Sequence, residues 1–141
     1  MSGNAAEANK AIARKFLQMF ELGDPGIADE IVAVDYLNHD APDAIGREGV
    51  KALLNAFSNA MPDAEVGLAY QVAEGDKVVS RYTWSGTHQG DIFGVPATGK
   101  HVSWTATAAL RIADGQIREA WLNWDQWGLM QQFGVVPKPG A

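Results

Sequence analysis

Apolar positions recur at helical spacing in the first half of the chain and alternate in the second half. Ile12, Phe16, Met19 and Phe20 form one stripe. That stripe predicts a helix opened by Asn4, with Glu7 three residues on as in a capping box. Gly23-Asp24-Pro25-Gly26 ends it. A short helix over Ile27 to Val32 follows, then a short strand over Val34 to His39, closed by the turn-rich Asp40-Ala-Pro-Asp43. Val50, Leu53, Leu54 and Phe57 stand at i, i+3, i+4 and i+7, which predicts a second long helix from Gly46 to the stop at Met61-Pro62. Beyond it the period changes to two. Strands are expected over Val66 to Ala73, Lys77 to His88, Val102 to Ile112 and Ile117 to Asn123, with turns at Gly75-Asp76 and Asp114-Gly115. The loop from Gly90 to Gly99 is rich in glycine, and its Ile92, Phe93 and Val95 are expected to turn away from water. A short helix over Gln126 to Phe133 closes the pattern, and Pro137 and Pro139 mark a loose tail.

Helices followed by a run of long strands predict an α+β fold with an antiparallel sheet from Val66 onward. The strands are two-faced. Val78, Tyr82 and Trp84 share one parity, with Val79 and Thr83 on the other. Val102, Trp104, Ala106, Ala108 and Leu110 face one way, while Ser103, Thr105, Thr107, Ala109 and Arg111 face the other. A second, semi-polar face lines a pocket or packs on another subunit, and a homodimer formed through the sheet is expected. The 141 residues, 47% of them hydrophobic, suit a single domain spanning 1–141 with one core.

Charge and composition narrow the function classes. The net charge is -6 and no basic cluster is present, which argues against nucleic acid and against an anionic membrane as partner. The chain has no cysteine, so disulfides, thiolate catalysis and zinc-thiolate sites are excluded. No apolar run approaches the roughly 18 residues of a membrane span, and the first residues lack the apolar run of a signal peptide. A cytoplasmic location is the resulting expectation.

Candidate chemistry centres on Trp121-Leu-Asn-Trp-Asp125. Here a carboxylate at a strand end stands among Trp121, Trp124 and Trp127. An acid that loses hydration among aromatic rings has its charged form penalised, which suits general acid or base work without a cofactor. The alternative is that Asp125 caps the following helix. His39 and Asn38 end the first strand. His39 either polarises a substrate carbonyl at a pocket mouth or lies exposed beside a turn capped by Asn38. His88 and His101 flank the glycine-rich loop. Loop support is favoured for His101, while His88 either supports the loop or reaches a ligand when the loop closes. Arg81, mid-strand among apolar residues, needs a partner, and Asp125 and Glu119 are the candidates. Glu119 has Arg118 and Arg111 as its other options. Trp84, Trp104 and Trp121 belong to a set of five tryptophans whose flat rings suit a flat, polycyclic or aromatic ligand.

In this order, four local patterns carry a resemblance. They are Tyr36-Leu-Asn-His39, the segment from Gly86 to Gly90, Gly94-Val-Pro-Ala-Thr-Gly-Lys100, and Asp114-Gly-Gln-Ile-Arg-Glu-Ala-Trp121 leading to Asp125 and Gln132-Phe-Gly134. The chain resembles the SnoaL-like polyketide cyclases of the nuclear transport factor and ketosteroid isomerase superfamily, over roughly Asn9 to Val136. The resemblance implies a cone-shaped, curved antiparallel sheet wrapped around the N-terminal helices as a barrel enclosing a deep pocket. It also implies a small hydrophobic or polycyclic carbonyl ligand and an aldol ring closure that uses an aspartate as acid and base, with no metal or cofactor. Asp125 is the best match to that aspartate, with His39 or His88 as the donor to the enolate oxygen.

The fold hosts many chemistries, so two other functions stay open. One is a non-catalytic, dimeric carrier of a small apolar ligand. The other is hydrolysis or isomerisation of an epoxide or enone, because the chain is also similar in part to limonene-type epoxide hydrolases. Tyr36-x-Asn38 and Arg81 match water-positioning groups of that family. The family also needs two acids bridged by an arginine, and here Thr83 and Asn123 stand near the acid positions.

Overall fold

A computed structural model describes residues 2–137; the expected tail proline Pro139 lies outside them. The elements run α1 (Ser2–Leu22), α2 (Pro25–Ile31), β1 (Val32–Asn38), α3 (Gly46–Ala60), β2 (Glu65–Glu74), β3 (Lys77–Thr87), β4 (His101–Ala113), β5 (Gln116–Trp124) and α4 (Gln126–Phe133). The expected Asn4 cap does not form, because α1 already begins at Ser2. Alanines and a glutamate around Asn4 favour continued helix over a cap there, and Glu7 pairs with Lys10 at 3.6 Å instead. At α2 the cap is Asp24, whose carboxylate accepts from the Gly26 amide at 2.9 Å, while Pro25 occupies the first turn. Gly46 opens α3 with φ +68°, and a Cβ there would strike the Val34 carbonyl oxygen at 2.5 Å, so both conformation and close approach call for glycine.

The five strands form one sheet in the order β1-β5-β4-β3-β2. From β2 to β5 every pairing is antiparallel. β1, which precedes that run, pairs parallel with β5, Asn38 opposite Ala120. A parallel pair needs a long crossover, and the whole stretch from α3 through β4 supplies it. The sheet does not close into a barrel, since β1 and β2 remain edges. It does curl: Asn38 at the end of β1 and Tyr82 on β3 line one cavity although two strands separate them in the sheet. A bulge between Leu68 and Tyr70 adds to the bending at the β2 edge.

The concave face holds the core. Along β4, Val102, Trp104, Ala106, Ala108, Leu110 and Ile112 are buried, while the intervening residues face outward. Ala13, Phe16, Leu17, Met19 and Phe20 of α1 fill the concavity, with Val50 and Leu54 of α3 beside them. Leu129 and Phe133 of α4 are buried as well. Met19, Leu54 and Leu129 are wholly enclosed; truncation of such side chains to alanine costs about 2–5 kcal/mol. No helix of the described residues is long and apolar enough to cross a membrane.

Candidate functional site

α1 and α3 do not fill the concave face completely. They leave an open-mouthed cavity of about 290 Å³. Its walls follow from strand parity. Tyr82 and Trp84 project from β3, Trp104 from β4, and Leu122 and Trp124 from β5. Phe16 and Phe20 of α1 and Leu53 and Phe57 of α3 face them. Trp84 and Trp104 are direct cross-strand partners, so their rings stack at 5.6 Å and 11°. Trp104 leads on to Trp124 at 5.8 Å. Phe93 comes from the glycine-rich loop and roofs this row, 5.1 Å from Trp124 and 5.7 Å from Phe57. It holds a left-handed φ of 52°, sparsely populated by bulky residues. The bridge between Ile92 and Val95, both buried, keeps it there.

Polar groups complete the lining of this aromatic box. Asn38, at the end of β1, is almost fully buried, and its Oδ1 accepts from the Asp40 amide at 2.9 Å. The Asp40 carboxylate Oδ2 in turn accepts from the Leu122 amide at 2.7 Å. These two bonds, with the His39 amide donating to the Ala120 carbonyl at 2.9 Å, latch the end of β1 to β5. Only an oxygen can accept from an N–H, so the acceptor fixes the orientation of the Asn38 amide and turns its NH₂ away from this bond. Asn38 and Asp40 both border the cavity, as do Asn123 and Gln126. Burial alone pushes the Tyr82 phenol up to about 12. The Tyr36 phenol is raised too, by burial first and then by Tyr82. Both hydroxyls therefore stay protonated at any physiological pH.

The structure separates the remaining candidates from this cavity. Asp125 caps α4: its carboxylate accepts from the Gly128 amide at 2.9 Å, and its own amide donates to the Thr105 carbonyl at 3.0 Å. Gly128 makes room for that carboxylate, which a Cβ would overlap. Asp125 is exposed and is absent from the cavity lining. His39 follows Asn38 by one residue and so faces the opposite side of the sheet. There it stacks on Trp121 at 4.7 Å and 7°, with Nε2 3.1 Å from a Glu119 carboxylate oxygen. Glu119 is also bound by Arg111. That guanidinium first, and His39 second, hold the Glu119 carboxyl below the usual carboxylate range. Arg81 lies on the same outer face and donates to the Thr107 hydroxyl at 3.1 Å, so neither Asp125 nor Glu119 is its partner. Tyr36 is buried and is not part of the cavity lining.

His88 is completely buried, but it serves the loop. Its Nδ1 accepts from the Thr98 amide at 3.1 Å and lies 2.9 Å from the Thr98 hydroxyl. Its ring stacks on Phe133 at 4.2 Å. The histidine thus ties the base of the glycine-rich loop to α4. His101 is exposed, with Nδ1 3.5 Å from the Thr87 hydroxyl. Of the residues expected to line a site, Asn38, Trp84 and Trp104 meet in the cavity. Asp40, Tyr82, Phe57, Phe93 and Trp124 join them without having been singled out for the site. Tyr82 shares its parity with Trp84, a signal already present in the sequence. Asp40 gave none, because a turn residue has no parity to follow.

Comparison with known proteins agrees with this architecture. The sequence profile of the SnoaL-like polyketide cyclase family matches residues 10–133. Aklanonic acid methyl ester cyclase DauD of Streptomyces sp. (strain C5) is 30% identical over 132 residues, covering 87% of this chain and 80% of the relative. Aklanonic acid methyl ester cyclase DnrD of Streptomyces peucetius is 27% identical over 129 residues, covering 87% and 88%. Among solved structures, TsrD from Streptomyces laurentii superposes with a TM-score of 0.86 at 30% identity, covering 92% of this chain and 97% of that one. A curled sheet with an aromatic cavity on its concave face, read together with a profile that spans nearly all the elements, assigns the chain to the SnoaL-like polyketide cyclase family.

Proposed function

We propose that the protein is a cyclase that closes a ring by intramolecular aldol addition inside the aromatic cavity, with Asp40 as the group that moves the proton. The observation that carries this reading is that Asp40 is the one carboxylate among the described residues lining the cavity. Its Oδ2 is committed to the Leu122 amide, which leaves Oδ1 for substrate. Oδ1 takes a proton from a carbon next to a carbonyl. The C–H electron pair forms the C=C bond of an enolate, and the carbonyl π pair moves to oxygen. The enolate carbon then attacks a second carbonyl carbon of the same molecule. The alkoxide so formed takes the proton back from Asp40, so no electrons are gained or lost. Holding both reacting ends within about 290 Å³ replaces a search through open conformations, which is where cyclisation gains most. The stacked Trp84 and Trp104 suit a flat, conjugated ligand.

The relatives' names supply the first substrate to try, aklanonic acid methyl ester. Asp40→Asn should lower kcat by about 10²–10⁴-fold, the range of a lost general base, while the ligand still binds. Turnover at the wild-type rate by that variant would remove Asp40 from the mechanism. A carrier role without chemistry is the second reading, favoured by the use of Asp125 as a helix cap. It expects tight binding and no turnover in the wild type. Hydrolysis of an epoxide is disfavoured by Arg81, which faces Thr107 and not the cavity. The outer sheet face, with Tyr70 57% and Val72 58% exposed, is the surface we assign to a homodimer; sedimentation of a Tyr70→Glu, Val72→Glu variant as a monomer beside a dimeric wild type would support it.

A further inference from the structure

We infer that the cavity is also a receptor for an organic cation, a quaternary or tertiary ammonium group carried on an apolar body. Four of its rings close on one another in a circuit. Phe57 meets Phe93 at 5.7 Å, and Phe93 meets Trp124 at 5.1 Å. Trp124 meets Trp104 at 5.8 Å, and Trp104 returns to Phe57 at 6.4 Å. All four line the cavity. Successive rings are tilted by between 31° and 71°, so they turn against one another and do not stack as a column. With neighbours this close, the centre of the circuit lies within about 6 Å of every ring centroid, the range over which the negative face of a ring attracts a cation.

Charge decides between a cation and a neutral group. Asp40 is the only charged residue among the described residues lining the cavity; no lysine, arginine or histidine is among them. Its Oδ2 accepts from the Leu122 amide, which leaves Oδ1 open. Leu122 stands two residues before Trp124 on β5, about 7 Å along the strand. The carboxylate is therefore anchored to the strand that supplies one wall of the circuit. An ammonium among the rings has negative ring faces around it and one full negative charge on the same wall. A ligand carboxylate there would meet a like charge and no cation. The rings keep water away, so these interactions are screened less than on the open surface. Alkylation of the nitrogen suits the surroundings. A quaternary nitrogen has no N–H to leave unpaired, and the single N–H of a tertiary ammonium has Asp40 Oδ1 as its acceptor.

The inference needs the rings and the charge of Asp40 but no reaction, so it stands or falls apart from the cyclase reading. The probes are phenyltrimethylammonium and tert-butylbenzene, two ligands of one shape that differ in charge. Titration of each into the full chain, followed by tryptophan fluorescence, compares them directly. The cation should bind at least about tenfold more tightly, although apolar burial alone favours the neutral ligand. Asp40→Asn should weaken the cation by about fivefold, the effect of one charge pair beside water, and leave tert-butylbenzene unchanged. Phe93→Leu removes one ring of the circuit at a residue that is 40% exposed. It should weaken the cation by about two- to fivefold and the neutral ligand by less. Binding of tert-butylbenzene as tight as that of the cation would overturn the inference. So would equal losses for both ligands in the two variants, which would reduce the rings to apolar area. Ring closure of aklanonic acid methyl ester without any preference for the cation would leave the cyclase reading in place and end this one.

Discussion

The two faces of the sheet use their polar side chains in opposite ways. On the outer face they are paired with each other: Arg111 with Glu119, Glu119 with His39, His39 stacked on Trp121, Arg81 with Thr107. On the inner face the Trp84 Nε1 donor is buried without a partner, and Asp40, with its Oδ2 bound to the Leu122 amide, keeps one oxygen free. Satisfied groups stabilise an arrangement, whereas unsatisfied groups at a cavity wait for a partner. The proposed chemistry therefore belongs to the inner face, although the outer face holds the more conspicuous cluster of ionisable residues.

The largest effect expected from breaking this contrast is catalytic. Asp40→Asn removes the inner carboxylate and should cost about 10²–10⁴-fold in kcat, whereas His39→Ala on the outer face should leave kcat within about twofold of wild type; steady-state kinetics of both variants checks the pair. A structural effect comes next. Trp104→Ala opens the middle of the tryptophan row and should destabilise the fold by about 3–5 kcal/mol, read by urea denaturation. Asp125→Ala removes a helix cap and should cost about 0.5–2 kcal/mol, or several degrees in Tm for a chain of this size. Turnover at a temperature where that variant stays folded should be near wild type.

The smallest effect is on pH. The Glu119 carboxyl is depressed in the folded state by Arg111 and His39. Its contribution is therefore present in full above the unfolded carboxylate value near 4.5 and is lost as the pH falls through the lower folded value. Tm should drop more steeply below about pH 4.5 in the wild type than in Glu119→Gln. The exposure of the pair keeps the difference small.

Much of this was legible in the residues. The period-two pattern of β3 and β4 put Trp84 and Trp104 on the inner face, the Asp114-Gly115 turn set the β4–β5 hairpin, and the helical stripe of α1 marked its buried side. Asp125 was legible only as a choice. A carboxylate after a strand and before a helix points into a pocket or back to the helix amides according to the backbone at one residue, and here φ -78° and ψ 73° turn it to Gly128. His39 misled for a related reason: its parity is opposite to that of Asn38, but which parity faces inward on an edge strand depends on its partner. That partner is β5, a long-range parallel pairing that no local pattern announces. Asp40 belongs to the cavity because of the same pairing, through the Leu122 amide.

Proton abstraction is the step that distinguishes the two carboxylates most directly. Aklanonic acid methyl ester in deuterated water can be followed by NMR for deuterium entering the carbon next to its reacting carbonyl, with wild type, Asp40→Asn and Asp125→Asn. Exchange by the wild type and by Asp125→Asn, with none above background by Asp40→Asn, is the expected result. Exchange that survives in Asp40→Asn and vanishes in a folded Asp125→Asn would contradict the assignment of the chemistry to the inner-face carboxylate.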